Sequence, residues 1–205
     1  MASIYPNIRT INSESVTGYQ VNISAFGECY QPYFPGLNNK SLRSALKARN
    51  KLYKKLNIGP RYAILQKLPL PVKGADTNTG IYGIAERVRT ERNGSEYVAY
   101  VCRMRNLITG RASNKEIRLY LYRSKKKARN AAIALVNANA EAYNKVVDRY
   151  NKMALRELFK VAEAEAVSLK PRLYKLNERS QKRWDEAFKK VFPRGLNDPI
   201  DVRNG

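Results

Sequence analysis

Apolar and polar positions alternate and then switch to helical spacing, and they do so twice along this chain. Between Gly18 and Ser24, Tyr19, Val21 and Ile23 share one face while Gln20, Asn22 and Ser24 share the other, which is the period of a half-buried strand. Ile8 to Ile11 predicts a short strand before it. Ala25-Phe26-Gly27 turns the chain, and Glu28 to Phe34 predicts the return strand, ended by Pro35-Gly36. From Ser41, an N-cap residue type, Leu42, Ala45, Leu46, Leu52, Tyr53 and Leu56 recur at helical spacing. Gly59-Pro60 stops that helix.

Residues 58–79 read as a linker rich in Pro and Gly, although Tyr62 to Leu70 is apolar enough to pack on a neighbour. The pattern then repeats. Ile81 to Arg89 is strand-like, and Asn93-Gly94 is a hairpin dipeptide. Tyr97 to Arg105 predicts a second strand, Asn106 to Asn114 a polar loop, and Glu116 to Tyr122 a third strand. Ser124 caps a helix whose stripe runs through Ala128, Ala131, Ala132, Leu135, Ala138, Tyr143, Val146 and Val147. Residues 151–205 are helical again. One stripe (Leu155, Leu158, Phe159, Ala162, Ala166) continues the preceding helix, and a second (Trp184, Ala187, Phe188, Val191) follows the break at Lys170-Pro171. The fold class expected is therefore α+β. It comprises two small units of three-stranded antiparallel sheet plus one helix (residues 1–57 and 80–150), joined by the linker and followed by a helical C-terminal region.

Charge narrows the partner. The 205 residues hold 39 Lys+Arg against 17 Asp+Glu, a formal net charge of +22. A compact chain so unbalanced repels itself unless a polyanion neutralises it, so nucleic acid leads. The 43% of hydrophobic residues allows real cores and excludes a disordered basic tail. The excess peaks over residues 80–150, with fifteen Lys/Arg against six acids.

The chain has no histidine. That removes the Ser-His-Asp triad, the Cys-His pair, His-metal nucleases and histidine zinc sites. Cys29 and Cys102 are too few for a zinc cluster, and each lies in an alternating apolar run, so buried thiols are expected. No catalytic residue, metal site or cofactor is expected. Glu86, Glu91, Glu96 and Glu116 form no recognisable metal pair, and Gly80-Ile-Tyr82 lacks the second Tyr-Ile-Gly string that a GIY-YIG nuclease needs. No apolar run approaches the roughly 20 residues of a membrane helix, and MASIYPNIRT has no secretory pattern. A cytoplasmic, DNA-associated protein is the expectation, with no membrane partner.

The repeated unit resembles the AP2/ERF-type DNA-binding domain. The second unit offers Tyr97-Val-Ala-Tyr-Val101, then Arg118-Leu-Tyr-Leu-Tyr122, then Ser124 and the alanines from Ala128. The first offers Tyr19-Gln-Val-Asn-Ile23, then Tyr30-Gln-Pro-Tyr-Phe34, then the helix from Ser41. The sheet tryptophans common in that family are missing, since Trp184 lies outside both units. The resemblance implies a three-stranded sheet laid into the major groove of double-stranded DNA. It also implies a phage or mobile-element setting, where such domains accompany homing endonucleases. This chain looks like the DNA-reading part without its nuclease.

Phosphate contacts supply affinity and base edges supply specificity. In the first unit Gln20, Asn22, Ser24 and Tyr30 are the candidate reading face, Gln and Asn being suited to adenine. In the second, Arg87 and Arg89 share a strand face and suit guanine, with Arg118 on the third strand and Lys115 just before it. For the middle strand, the resemblance puts Tyr100, Cys102 and Met104 outward, whereas charge favours Arg103 and Arg105. A bulge near Cys102 would reconcile the two frames. Lys125, Lys126, Lys127 and Arg129 suit phosphate clamping. The leading function is a sequence-specific double-stranded DNA-binding protein acting by occupancy, most simply a transcriptional repressor, with the C-terminal helices as a candidate homodimer surface. The alternatives are a structured-RNA or ribosome-associated protein, and the DNA-targeting part of a lost or partner nuclease.

Overall fold

The computed structural model describes residues 4–70, 78–173 and 180–196. The fold is α+β. The chain divides into two compact units that interleave in sequence: residues 1–65 with 150–183, and residues 66–149 with 184–205. Each is described by itself.

In the first unit, β1 (Ile8–Asn12), β2 (Thr17–Val21) and β5 (Tyr33–Pro35) form an antiparallel sheet in the order β1-β2-β5, while β3 (Ile23–Ala25) pairs with β4 (Glu28–Tyr30) as a separate hairpin. The two long strands expected from the alternation are thus each broken. Pro32 has no N–H to donate to a ladder, and Gln31-Pro32 separates β4 from β5. Opposite it, Asn22 leaves the sheet: its N–H donates to the Asn7 carbonyl and its own carbonyl accepts from Asn7 Nδ2.

Gly18 makes the sheet possible here. A Cβ at that position would lie 2.3 Å from the Phe34 carbonyl oxygen and 2.7 Å from Tyr33 Oη. Without one, Tyr33 lies against the strand and donates to the Thr17 carbonyl at 2.6 Å.

Helix α1 (Asn39–Leu56) is capped by Asn38, whose side chain accepts from Ser41 N–H at 2.9 Å. Ser41 is therefore one turn inside the helix rather than its cap, and its hydroxyl donates to the Pro35 carbonyl instead. Leu42, Ala45, Leu46 and Tyr53 bury against Ile8, Val21 and Ile23, and Leu158, Ala162, Ala166 and Leu173 complete that core.

Within the same core, Arg49 and Glu165, both wholly buried, form an ion pair at 2.7 Å. Such a pair persists only if every remaining donor and acceptor is satisfied. Arg49 also donates to Asn50 Oδ1 and the Pro6 carbonyl, and the other Glu165 oxygen accepts from the Arg172 and Leu173 N–H groups.

In the second unit, β6 (Ile84–Thr90), β7 (Glu96–Arg105) and β8 (Ala112–Arg118) form an antiparallel sheet in the order β6-β7-β8. The third strand starts earlier than the sequence predicts, and Leu119–Leu121 is a 3-10 turn rather than strand. Helix α2 (Lys125–Ser168) starts at Ser124, whose hydroxyl accepts from Lys127 N–H, and runs 44 residues without a break. Ala128 and Ala132 are fully buried, and their small side chains let the helix lie close on Tyr100, Cys102, Ile84 and Ile117, with Leu135 and Val136 filling the far end.

Helix α3 (Gln181–Val191) packs through Trp184, whose ring lies against Gly110 and Tyr143 and whose indole N–H donates to the Leu107 carbonyl at 3.1 Å. Its apolar stripe is thus used within the chain.

Part of the expected linker is tied down by amides of α2. In the second unit Asn144 accepts from and donates to the backbone of Leu68, and in the first Asn151 does the same for Leu65. Among the described residues no helix is long and apolar enough to cross a membrane.

Candidate nucleic-acid interface

The second unit's sheet has one face on α2 and one face open. Strand alternation assigns the residues. Ile84, Glu86, Tyr100, Cys102, Lys115 and Ile117 have the helix-side parity. Ala85, Arg87, Arg89, Tyr97, Ala99, Val101, Arg103, Arg105, Asn114, Glu116 and Arg118 have the open parity.

The pairing runs without interruption from Ala99 to Arg105, so there is no bulge at Cys102. Charge, not the family frame, predicts the parity of β7: Arg103 is exposed, while Tyr100 and Cys102 are buried at 2% and 0%. Tyr100 and Lys115 therefore leave the reading face on which the sequence placed them. The physical reason for Tyr100 is that its ring fills the gap between the sheet and the small residues of α2.

The open face carries five arginines, arranged around a small centre. Ala99 pairs with Arg87 on one side and Arg118 on the other, and its own side chain is fully buried between those strands. One end of the face is a fixed network. Arg118 Nη1 donates to Glu91 at 2.7 Å and to Tyr120 Oη at 2.8 Å, and its guanidinium lies 4.6 Å from the Tyr97 ring centroid. Tyr97 Oη donates to Glu116 at 2.9 Å, and Glu116 also pairs with Arg89 Nε at 2.9 Å. The carboxylate bond raises the Tyr97 hydroxyl's pKa above its usual value, and the bond to Tyr120 raises that of Arg118. This network holds two guanidinium planes in place before any ligand arrives.

The other end is open. Arg87 and Arg103 are exposed and make no ion pair or side-chain hydrogen bond among the described residues. Arg105 has the same parity, but its guanidinium lies 5.7 Å from the Tyr143 ring of α2.

The first unit's open face is different. Its middle row is Arg9, Gln20 and Tyr33, in register across three strands. Gln20 sits where the alternation predicts. Asn22 lies at the strand break with an exposed side chain, and Ser24 is on the hairpin, its hydroxyl 3.6 Å from Cys29 Sγ. Tyr30 does not join the reading face: it pairs across from Ile23, packs on the core, and donates its hydroxyl to Glu28. That bond raises its pKa. Cys29 is exposed rather than buried, because the hairpin turns its side of β4 outward.

Lys125, Lys126 and Lys127 are exposed in the first turn of α2, and Lys125 Nζ pairs with Glu86 at 2.8 Å. Three of the four glutamates considered as metal ligands are held by cations: Glu86, Glu91 and Glu116. Among the described residues no group of three or more His, Cys, Asp or Glu side chains could hold a metal ion.

Sequence reasoning passed over Asn114, Tyr97 and Tyr120. Asn114 falls in the loop that the sequence predicts before Glu116; the alternation of Asn114, Glu116 and Arg118 against Ile117 is the signal for the earlier start. Comparison with known proteins adds nothing to the geometry: no family model, curated protein or solved structure matches the chain.

Proposed function

We propose that this chain is a sequence-reading double-stranded DNA-binding protein that acts by occupancy, with the open face of β6-β7-β8 seated in the major groove. One observation carries the reading. Five arginines have the parity of the sheet face that the helix leaves uncovered: Arg87 and Arg103 are free, Arg89 and Arg118 are pre-oriented by a Tyr-Glu network, and Arg105 leans on Tyr143. Arginine forks match guanine O6 and N7, and a sheet face can enter a groove about 12 Å wide. The total charge of +22 supports the polyanion, and the arrangement of the arginines supports reading rather than mere attraction.

The resemblance to AP2/ERF-type domains supports a sheet laid in the major groove, although its frame for β7 is the opposite of the one seen here, and repression is the simplest consequence of a bound site. The first unit's Arg9-Gln20-Tyr33 row is a weaker, second contact surface. Selection from a random duplex pool at about 150 mM salt, where non-specific contacts are weakened, tests the reading. An enriched site supports it. Binding that fades with salt and enriches no sequence refutes it, and equal competition by structured RNA would replace it with an RNA-binding role.

A further inference from the structure

We infer that the second unit holds a separate anion site, on the helix side of its sheet, that takes the terminal phosphate of a small phosphate monoester. A pocket of about 340 Å³ opens between β6 and the first turns of α2. Three cations line it: Lys125, Lys126 and Arg129. Glu86 is also in the wall, and Lys125 neutralises it at 2.8 Å. The bond to Glu86 raises the lysine's pKa, so Lys125 stays charged. Arg129 spends one donor on the Thr79 carbonyl at 3.1 Å, and its remaining N–H groups are available. Lys126 has no side-chain partner among the described residues. Two positive charges therefore remain for a ligand.

The helix contributes as well. Ser124 satisfies the N–H groups of Lys127 and Ala128, leaving those of Lys125 and Lys126 without a partner among the described residues. Such unsatisfied donors at the start of a long helix favour an anion. The floor supplies the independent sign. Tyr100 lines the pocket and is only 2% exposed, yet its hydroxyl has no hydrogen-bond partner among the described residues. The hydroxyl is not enclosed by protein, so a phosphate oxygen in the pocket would supply its acceptor.

A monoester fits this floor better than duplex DNA does. A terminal phosphate carries one substituent and can descend to Tyr100, whereas a backbone phosphodiester carries a sugar on each side. The pocket also lies on the sheet face opposite Arg87 and Arg103, so a ligand there leaves the proposed DNA face uncovered. This inference does not depend on the DNA reading.

Titration calorimetry of the full chain tests it, using inorganic phosphate, phenyl phosphate and dimethyl phosphate at matched ionic strength. Saturable binding of the first two is expected, with dimethyl phosphate at least tenfold weaker. Tyr100→Phe should weaken phosphate binding by about tenfold, as expected for losing one hydrogen bond to a charged acceptor. Its urea midpoint should not fall, since the lost hydroxyl bonds nothing in the protein. Arg129→Ala should weaken binding similarly. No saturable phosphate binding, or undiminished binding by Tyr100→Phe, overturns the site. Failure of both small anions, with Lys126→Ala weakening duplex binding, would assign the pocket's cations to DNA backbone and overturn the monoester site while leaving the DNA reading intact.

Discussion

Arg87 and Arg103 are the two free guanidinium groups on the open sheet face, and the sheet register fixes their separation. Arg87 pairs with Ala99, and Arg103 lies four residues further along β7. With a rise of about 3.3 Å per residue and strands about 4.8 Å apart, their Cα atoms stand about 14 Å apart. At about 3.4 Å per base step, that separation spans roughly four base pairs. Each good bidentate pair with a base is worth about 1–3 kcal/mol, or roughly 5- to 150-fold in affinity. Arg103→Ala should lose that factor on the selected site and relax the preference at one position. Arg87→Ala should relax a different position about four base pairs away. Neither should alter the thermal midpoint, because both side chains are exposed and unpaired in the folded chain. Repeating the duplex selection with each variant, alongside titrations on the wild-type site, reads both effects. Uniform weakening on all sequences, with an unchanged preference, would refute base reading by this face and leave only backbone attraction.

Glu165→Gln should destabilise the protein by about 3–5 kcal/mol in urea denaturation, because it leaves a buried Arg49 guanidinium facing an amide; a loss under 1 kcal/mol would show that the pair is not isolated from water. Gly18→Ala should cost about 1–3 kcal/mol through overpacking. Gly18→Ala with Tyr33→Ala should not recover it, since the closest clash is with the Phe34 backbone oxygen; recovery would mean the tyrosine alone is the obstacle. Burial pushes the Cys102 thiol up to about 11, against a smaller opposing influence of Lys115. The folded chain keeps a proton that the unfolded chain releases above about pH 9, so stability should fall between about pH 9 and 11 by up to about 1.4 kcal/mol per unit. Cys102→Ala should lack that component, and parallel urea midpoints for the two proteins across this range would exclude it.

Much of the fold was legible because short-range physics decides it. Alternation located Tyr97 to Arg105, and helical stripes located both long helices. The misreadings have local causes. Ser41 and Asn38 are both good caps, and the sequence does not say which one the chain turns at. The breaks at Asn22 and Gln31-Pro32 depend on a hydrogen bond from Asn7, fifteen residues earlier than Asn22. The reading face of β7 was ambiguous because tyrosine suits either side of a sheet. Its parity follows from the neighbouring arginines, which cannot be buried without partners. The pocket floor was invisible for the same reason: only packing shows that Tyr100 is buried and its hydroxyl unpaired. The separation of residues 150–183 from 184–196 into different units is a matter of long-range contact that periodicity does not carry.

That interleaving sets an order of events on the ribosome. The first unit's core needs Leu158, Ala162 and Leu173 beside Tyr5 and Ile8. At about 5–20 residues per second, about a hundred residues must be synthesised after α1 before those partners emerge, a wait of roughly 5–20 s. Throughout it, α1 can pack on the first sheet through Ile8, Val21 and Ile23, but the part of that core closed by Leu158, Ala162 and Ala166 stays open and Arg49 lacks its Glu165 partner. The second unit in turn waits for Trp184. The second unit's sheet-and-helix core ends at Val136, so a nascent chain halted near residue 149 would hold that core, short only of its Trp184 packing, beside a first core still open.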